Sequence, residues 1–269
     1  MSKTHCNEML FWKKLAERNK NKPHIDQVLG KYKSEEFRKL VKKWVNNGGC
    51  NKILKTDLRE EAFGEDEILF SLSTKNSQIC AVDISEETTK NAYIKQKVLN
   101  LDHQYVTADV RRLPFKDNTF DLILSNSTLD HFVMEDDLIR SLVELKRVMK
   151  PAGILIITIN NKCNVNFFLL LKIERALRLI PYPVQSYRPK RLRHIFKAID
   201  LPIHDEDVIV HIISPINSIL LILRRFLNGD VLDKVAKRCI QLARWLGERK
   251  KTKMFTGWFI ALKCVKEVT

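Results

Sequence analysis

Apolar positions in the middle of the chain fall in short unbroken runs separated by longer stretches of mixed character. Lys52–Asp57 (KILKTD), Gln78–Val82, Tyr105–Ala108, Asp121–Leu124 and Ile154–Ile159 are rich in aliphatic and β-branched residues. Each is too short for a buried helix, so each predicts an interior strand. The intervening segments carry helical spacing. Residues 65–75 predict one helix, and Ser85 followed by Glu86 and Glu87 predicts the capped start of another. In Glu135–Lys150 the residues Leu138, Leu142, Leu145, Val148 and Met149 line one face; Pro151 is expected to end that helix and Gly153 to open the next strand. Strands alternating with helices, and apolar on both sides, predict an α/β sheet covered on both faces.

The flanks read as helical. Phe11, Trp12 and Leu15, then Phe37, Leu40, Val41, Trp44 and Val45, recur at helical intervals in a basic background. Pro23 and Gly30 are expected to divide these helices and Asn47-Gly48-Gly49 to end them, which makes residues 1–48 an N-terminal extension to a domain over 49–269. Its aromatic residues are expected to pack on the sheet or over the ligand-binding edge. Beyond Asn161, Val165–Ile180 predicts an apolar helix ended by Pro181-Tyr182-Pro183, and a basic helix follows Tyr187-Arg188-Pro189 up to Ile199. Val208–Ile213 predicts a sixth strand and Trp258–Val265 a last one. Leucine-rich and isoleucine-rich helices between them, in residues 213–252, predict an inserted lid.

The formal charge of +15 over 269 residues changes this picture by admitting a polyanionic partner, either nucleic acid or an anionic membrane surface, beside a merely solvated basic exterior. Six cysteines, Cys6, Cys50, Cys80, Cys163, Cys239 and Cys264, show no paired spacing. No metal site or disulfide framework is expected, and a reducing cytoplasm fits. Charges interrupt the apolar residues at the amino terminus, against a signal peptide. The run Ile212–Leu223, broken by Pro215 and Asn217, is too short to span a bilayer.

In open α/β sheets ligands bind beyond the carboxyl ends of the parallel strands. Asp57, Asp83, Asp109 and the pair Ser125-Asn126 close the first four strands and are the candidate contacts. Capping or turn formation is the alternative for each aspartate. His131 follows the fourth strand in Asp130-His131-Phe132, and its imidazole could take a proton from a hydroxyl nucleophile or serve as a structural or substrate-binding group.

The stretch Asp109-x-x-x-Leu113-Pro114-Phe115-x-Asp117-x-x-Phe120-Asp121, followed by Glu144-Leu145-Lys146-Arg147-Val148-Met149-Lys150-Pro151-Ala152-Gly153 and a strand, resembles class I S-adenosylmethionine (SAM)-dependent methyltransferases, especially the small-molecule group called type 11. The likeness covers roughly residues 50–160. It implies a doubly wound, seven-stranded, mostly parallel sheet in the order 3-2-1-4-5-7-6 with the last strand antiparallel. It also implies SAM as cofactor, with Asp83 and the adjoining Ile84 at the ribose, Asp109 and the Val110 backbone at the adenine, and Ser125 and Asn126 near the reactive methyl. Thr56 and Asp57 fall in the loop that meets the methionine end. The pattern departs from the family there: only Gly64 remains of a glycine-rich turn, and Lys55 stands where an acid is expected. The loop is therefore expected to take another path around the cofactor, with Asp57 facing the ammonium and Lys55 paired with Glu60, Glu61 or the cofactor carboxylate.

Three functions remain open on these residues. The leading one is methyl transfer to a small lipophilic acceptor in the cytoplasm, the apolar insertion serving as lid and a peripheral anionic-membrane contact being compatible. The others are a nucleic-acid methyltransferase, for which no RNA-binding module is recognised, and a noncatalytic scaffold that keeps the sheet.

Overall fold

The apolar runs form one seven-stranded sheet. In the computed structural model of the chain the described residues are 10–14, 17, 25–45, 50–64, 69, 77–165, 184–211, 214–224, 226–227 and 229–268. The predicted helices at 65–75 and Val165–Ile180 lie almost wholly outside them. The strands are β1 (Lys52–Lys55), β2 (Gln78–Asp83), β3 (Gln104–Thr107), β4 (Phe120–Asn126), β5 (Met149–Asn160), β6 (Ile203–Ile209) and β7 (Phe259–Val265). Their order is β3-β2-β1-β4-β5-β7-β6. β1 to β5 are mutually parallel, and β7 runs antiparallel to both β5 and β6.

Successive residues of the central strands enter opposite cores, which is why these strands are apolar without alternation. Ile53, Leu122, Leu124 and Ile156 meet helix α1 (Gln27–Trp44), whose Leu29, Tyr32, Phe37, Leu40, Val41 and Trp44 are all buried. Leu54, Ile123, Leu155 and Ile157 meet α4 (Glu135–Val148) and α5 (Pro189–Ala198) on the other face. Two short connections complete the parallel half: α2 (Arg59–Phe63) after β1 and α3 (Glu86–Val98) after β2.

Three boundaries differ from the sequence reading. Gly30 lies inside α1, because Asp26 caps the helix by accepting from the N–H groups of Val28 (3.0 Å) and Leu29 (3.4 Å), and the Gly30 N–H bonds to the Asp26 carbonyl. β5 begins at Met149, directly at the end of α4, and Pro151 lies within it. The sixth strand is Ile203–Ile209, five residues before the start that its apolar character suggested. It borders only β7, and its acids are spent on ion pairs: Asp205 with Lys263, Glu206 with Arg193, and Asp207 with Lys43 and Lys253.

The insertion between β6 and β7 consists of α6 (Ser214–Leu223), α7 (Gly229–Glu248) and α8 (Lys250–Thr256). Its buried residues Leu220, Leu232, Ala236, Ile240 and Ala243 join the core under α1. Arg224 ties the two units by pairing with Asp26 at the cap of α1 and with Asp233 of α7 at 2.6 Å. The turn from α8 into β7 is held by the Asn161 and Asn164 amides, which donate to the Gly257 carbonyl at 2.9 and 3.1 Å. A Cβ on Gly257 would lie 2.1 Å from Val208 Cγ1 and 3.0 Å from His211 Cε1. Gly257→Ala is therefore expected to cost about 1–3 kcal/mol through overpacking, read as a lower denaturant midpoint at unchanged slope. An unmoved midpoint would show that this turn yields freely.

Candidate functional site

The carboxyl ends of β1 to β4 meet at one edge of the sheet, and the loop after β1 is the most charged part of it. Lys55 ends β1 with its side chain only 1 % exposed. Its ammonium donates to Glu61 Oε2 at 2.7 Å and to the Asp57 carbonyl at 2.9 Å, and lies 3.3 Å from Asp57 Oδ2. Of the two acids expected as partners, Glu61 is the one used; Glu60 pairs with Lys33 at 3.3 Å. One lysine against two carboxylates leaves this loop with one net negative charge. Thr56, Leu58 and Glu61 are buried, so the loop has turned these side chains inward, and Gly64 closes α2.

Asp83, at the end of β2, accepts from the N–H of Leu58 at 3.1 Å and of Ser85 at 2.8 Å. This carboxylate thus fastens the first loop to β2 while Ser85 caps α3 by accepting from the Thr88 N–H at 3.3 Å. Burial, reinforced by the nearby Asp57 charge, outweighs the two N–H donors and pushes the Asp83 pKa up to about 6. Ile84 beside it is half-buried. Beyond β3, Asp109 is gripped by Arg111: Nε lies 3.1 and 3.0 Å from its two oxygens, Nη2 lies 2.8 Å from Oδ2, and the Arg111 N–H donates to Oδ1 at 2.8 Å. Arg111 also pairs with Asp137 at 3.2 Å and stands over the Phe132 ring at 5.0 Å. Val110 is buried beneath this turn.

At the end of β4, Ser125 has no exposed surface, and Thr56 donates to its hydroxyl at 3.0 Å. Thr56 also lies 3.0 Å from the Thr128 hydroxyl. Thr56 and Ser125 therefore brace β1 against β4 with their side chains, and Asn126 is the half-buried group at the rim. His131 lies in the 3-10 turn Leu129–His131, and its ring meets Trp12 of the N-terminal segment edge-on at 5.1 Å. The neighbouring Asp130 is fully buried, accepts from Ser127 Oγ at 2.9 Å and from the Asn160 N–H at 3.1 Å, and is held above the usual carboxylate range by that burial. Asn160 in turn accepts from the Trp258 indole at 2.8 Å, so Asp130, beside His131, is linked through the end of β5 to the residue before β7.

Arg111, in the stretch that carries the family resemblance, and Asp130, beside His131, carry structural work that the sequence reading did not assign. The same holds for Glu144 and Arg147. Glu144 accepts from the Leu113 N–H at 2.6 Å, while Arg147 donates to the Phe115 carbonyl at 2.8 Å and the Leu113 carbonyl at 3.2 Å. These contacts explain why Leu113-Pro114-Phe115 and the end of α4 occur together as one sequence signature.

Residues 60–157 match the family model described as "Methyltransferase domain". The fold agrees: a SAM-dependent methyltransferase from Methanosarcina mazei superimposes with a TM-score of 0.57 at 13% identity, over 86% of this chain and 98% of that one. The chain has the fold of SAM-dependent methyltransferases, and residues 60–157 resemble their domain in sequence. Among curated relatives, the uncharacterized protein MJ0638 of Methanocaldococcus jannaschii is 34% identical over 89 residues, 33% of this chain and 35% of that protein. The mitochondrial arginine-hydroxylase NDUFAF5 of Danio rerio is 39% identical over 74 residues, 28% of this chain and 21% of that protein. The chain thus spans about a third or less of the length of these relatives.

The cofactor that a methyltransferase domain of this class implies is SAM, whose donors are an ammonium group and ribose hydroxyls. The edge offers matching acceptors. Asn126 Oδ1 is a buried oxygen that accepts no hydrogen bond from the described residues, and Asp57 Oδ2, equally buried, accepts none and has the Lys55 ammonium beside it at 3.3 Å. A buried acceptor such as Asn126 Oδ1 is costly unless a ligand supplies the donor. Asp83 has oxygen lone pairs beyond the two that its N–H donors take. The residues fit the cofactor, and no group of His, Cys, Asp and Glu among the described residues could hold a metal ion.

Proposed function

We propose that the protein is a SAM-dependent methyltransferase acting on a small lipophilic acceptor. The observation that carries this reading is the set of acceptor oxygens of Asp57, Asp83 and Asn126 at the ends of β1, β2 and β4, the last two inside the matched residues 60–157. In this reading Asp57 receives the cofactor's ammonium, Asp83 its ribose hydroxyls with Ile84 against the base, and Asn126 a donor near the reacting group. Asp109 acts through Arg111 to shape the adenine side, where the Val110 backbone borders the ring. When bound, SAM supplies a methyl group made electrophilic by its sulfonium. The chain's own part is alignment, exclusion of water and acceptance of a proton from the acceptor, for which His131 is the candidate base. Full turnover by a His131→Ala protein would remove it from that role. The insertion α6–α8 begins and ends at the ligand edge and is the proposed source of acceptor specificity.

A second reading is favoured by Lys55, since a buried cation stands where the family places an acid: the sheet then serves as a binding scaffold. Calorimetry with SAM and with its demethylated product separates the two. Saturable binding supports the enzyme, and no heat at millimolar cofactor supports the scaffold. The same titration has a pH signature. The folded pKa of Asp83, about 6, is raised above its ordinary value of 3.8. Its contribution to stability is therefore complete below about 4 and lost as pH rises through 6. Ribose hydroxyls favour the ionised form, so SAM affinity should fall as pH drops below about 6, approaching at most about tenfold per unit. Asp83→Asn should flatten that dependence; a wild-type affinity constant from pH 7 to pH 5 would contradict the assignment.

A further inference from the structure

Helix α7 carries two apolar stripes, and the fold uses one. Leu232, Ala236, Ile240 and Ala243 are buried in the core shared with α1. Val231, Val235, Leu242 and Trp245 recur at separations of four, seven and three residues, which places them on a second line along the same helix. They are 56, 45, 48 and 48 % exposed. Phe226 and Leu227, which precede α7, are also exposed, with 79 and 52 % of their surfaces open. A contiguous exposed apolar strip of this kind marks an interaction face.

The charges on this strip select the partner. Arg238 lies within it, between Val235 and Leu242, and Lys234 adjoins it; both are exposed. Arg249 stands over the Trp245 ring with its guanidinium 3.6 Å from the centroid, and the sequence continues as Lys250-Lys251. Of the acids on α7, Asp233 is spent on Arg224, while Asp230 and Glu248 sit at the two ends. A second copy of this strongly basic chain would set the same cations against one another. An anionic surface would neutralise them while taking up the apolar side chains, and a Trp–Arg pair is suited to the boundary between acyl chains and headgroups.

We propose that α7 and the turn before it dock the protein on anionic lipid, with Val231, Val235, Leu242 and Trp245 entering the interface and Arg238 and Arg249 meeting lipid phosphates. The helix lies on the bilayer; no helix of the described residues is long and apolar enough to cross one. Helix α1, also basic and amphipathic, has its apolar face in the core.

The test uses the full chain in cosedimentation with vesicles of pure phosphatidylcholine and of phosphatidylcholine mixed with phosphatidylglycerol in a two-to-one ratio. The expected result is binding to the mixed vesicles stronger by about tenfold or more than to the neutral ones, weakened by salt. Val235→Glu and Leu242→Glu, each at an exposed position, should each abolish it. Arg238→Ala with Arg249→Ala should remove the preference for anionic lipid. Wild-type thermal melting in these variants excludes unfolding as the cause, and the vesicle readout is independent of SAM binding. Equal sedimentation with both vesicle types, retained binding in both glutamate variants, or a dimer detected by light scattering that these variants disrupt without any vesicle binding would each overturn the proposal.

Discussion

Replacing Lys55 by alanine is expected to destabilise the protein by about 3–5 kcal/mol, the cost of leaving a buried charge without its partner. Glu61 and Lys55 are each 1 % exposed and 2.7 Å apart, and Asp57 adds a second carboxylate at 3.3 Å. Removing the cation leaves the buried Glu61 without its partner and facing the partly exposed Asp57. Against the 5–15 kcal/mol that typically holds a domain together, such a loss is large. Chemical denaturation of wild type and variant measures it directly. The paired replacement Lys55→Met with Glu61→Leu removes both members of the closest pair and should recover most of the loss. A Lys55→Ala protein as stable as wild type would mean that the charges are hydrated and that the loop opens in solution.

Changing Asp83 to alanine is expected to weaken SAM binding by about 10- to 100-fold, the equivalent of one or two hydrogen bonds to a charged acceptor. Two effects act together. The ribose hydroxyls lose their carboxylate, and the N–H groups of Leu58 and Ser85 lose the oxygens that hold the first loop against β2 at 3.1 and 2.8 Å. Asp83→Asn keeps one of those acceptors and should fall between wild type and alanine. Calorimetric titration of all three proteins, with melting curves to establish folding, reads the series. Affinity unchanged across it would remove Asp83 from the cofactor site and leave it as a loop anchor.

The parallel half of the sheet was legible in the chain because its cause is local. A strand buried on both faces must be apolar at every position, and β1, β2, β4 and β5 announce themselves by that run. The polar residue that ends each run then marks the ligand edge, which is how Asp57, Asp83, Asp109 and Asn126 could be singled out. β6 was misplaced for the converse reason. It borders a single strand, so half of it, His204-Asp205-Glu206-Asp207, is free to be polar, and its acids find lysine and arginine partners on β7, α1, α5 and α8. No pattern within the segment records those partners.

The family resemblance also marked Lys55 as a departure from the expected chemistry of the first loop, which a nearby acid or the cofactor carboxylate was expected to answer. Only the tertiary structure decided between Glu60 and Glu61, because the path of the short helix α2 sends one side chain inward to Lys55 and the other outward to Lys33. The hydroxyl contacts of Ser125 and Thr56 depend on packing in the same way. Both are polar residues at strand ends, but the depth at which β1 and β4 pair turns their hydroxyls toward each other beneath the edge. The sequence by itself determined which central elements form and which ends carry charge, since these follow from burial along each segment, while the order of the strands was implied by the family resemblance. Which of those charges are spent on one another and which remain open to a ligand depends on distances between segments far apart in the chain, and only packing sets those.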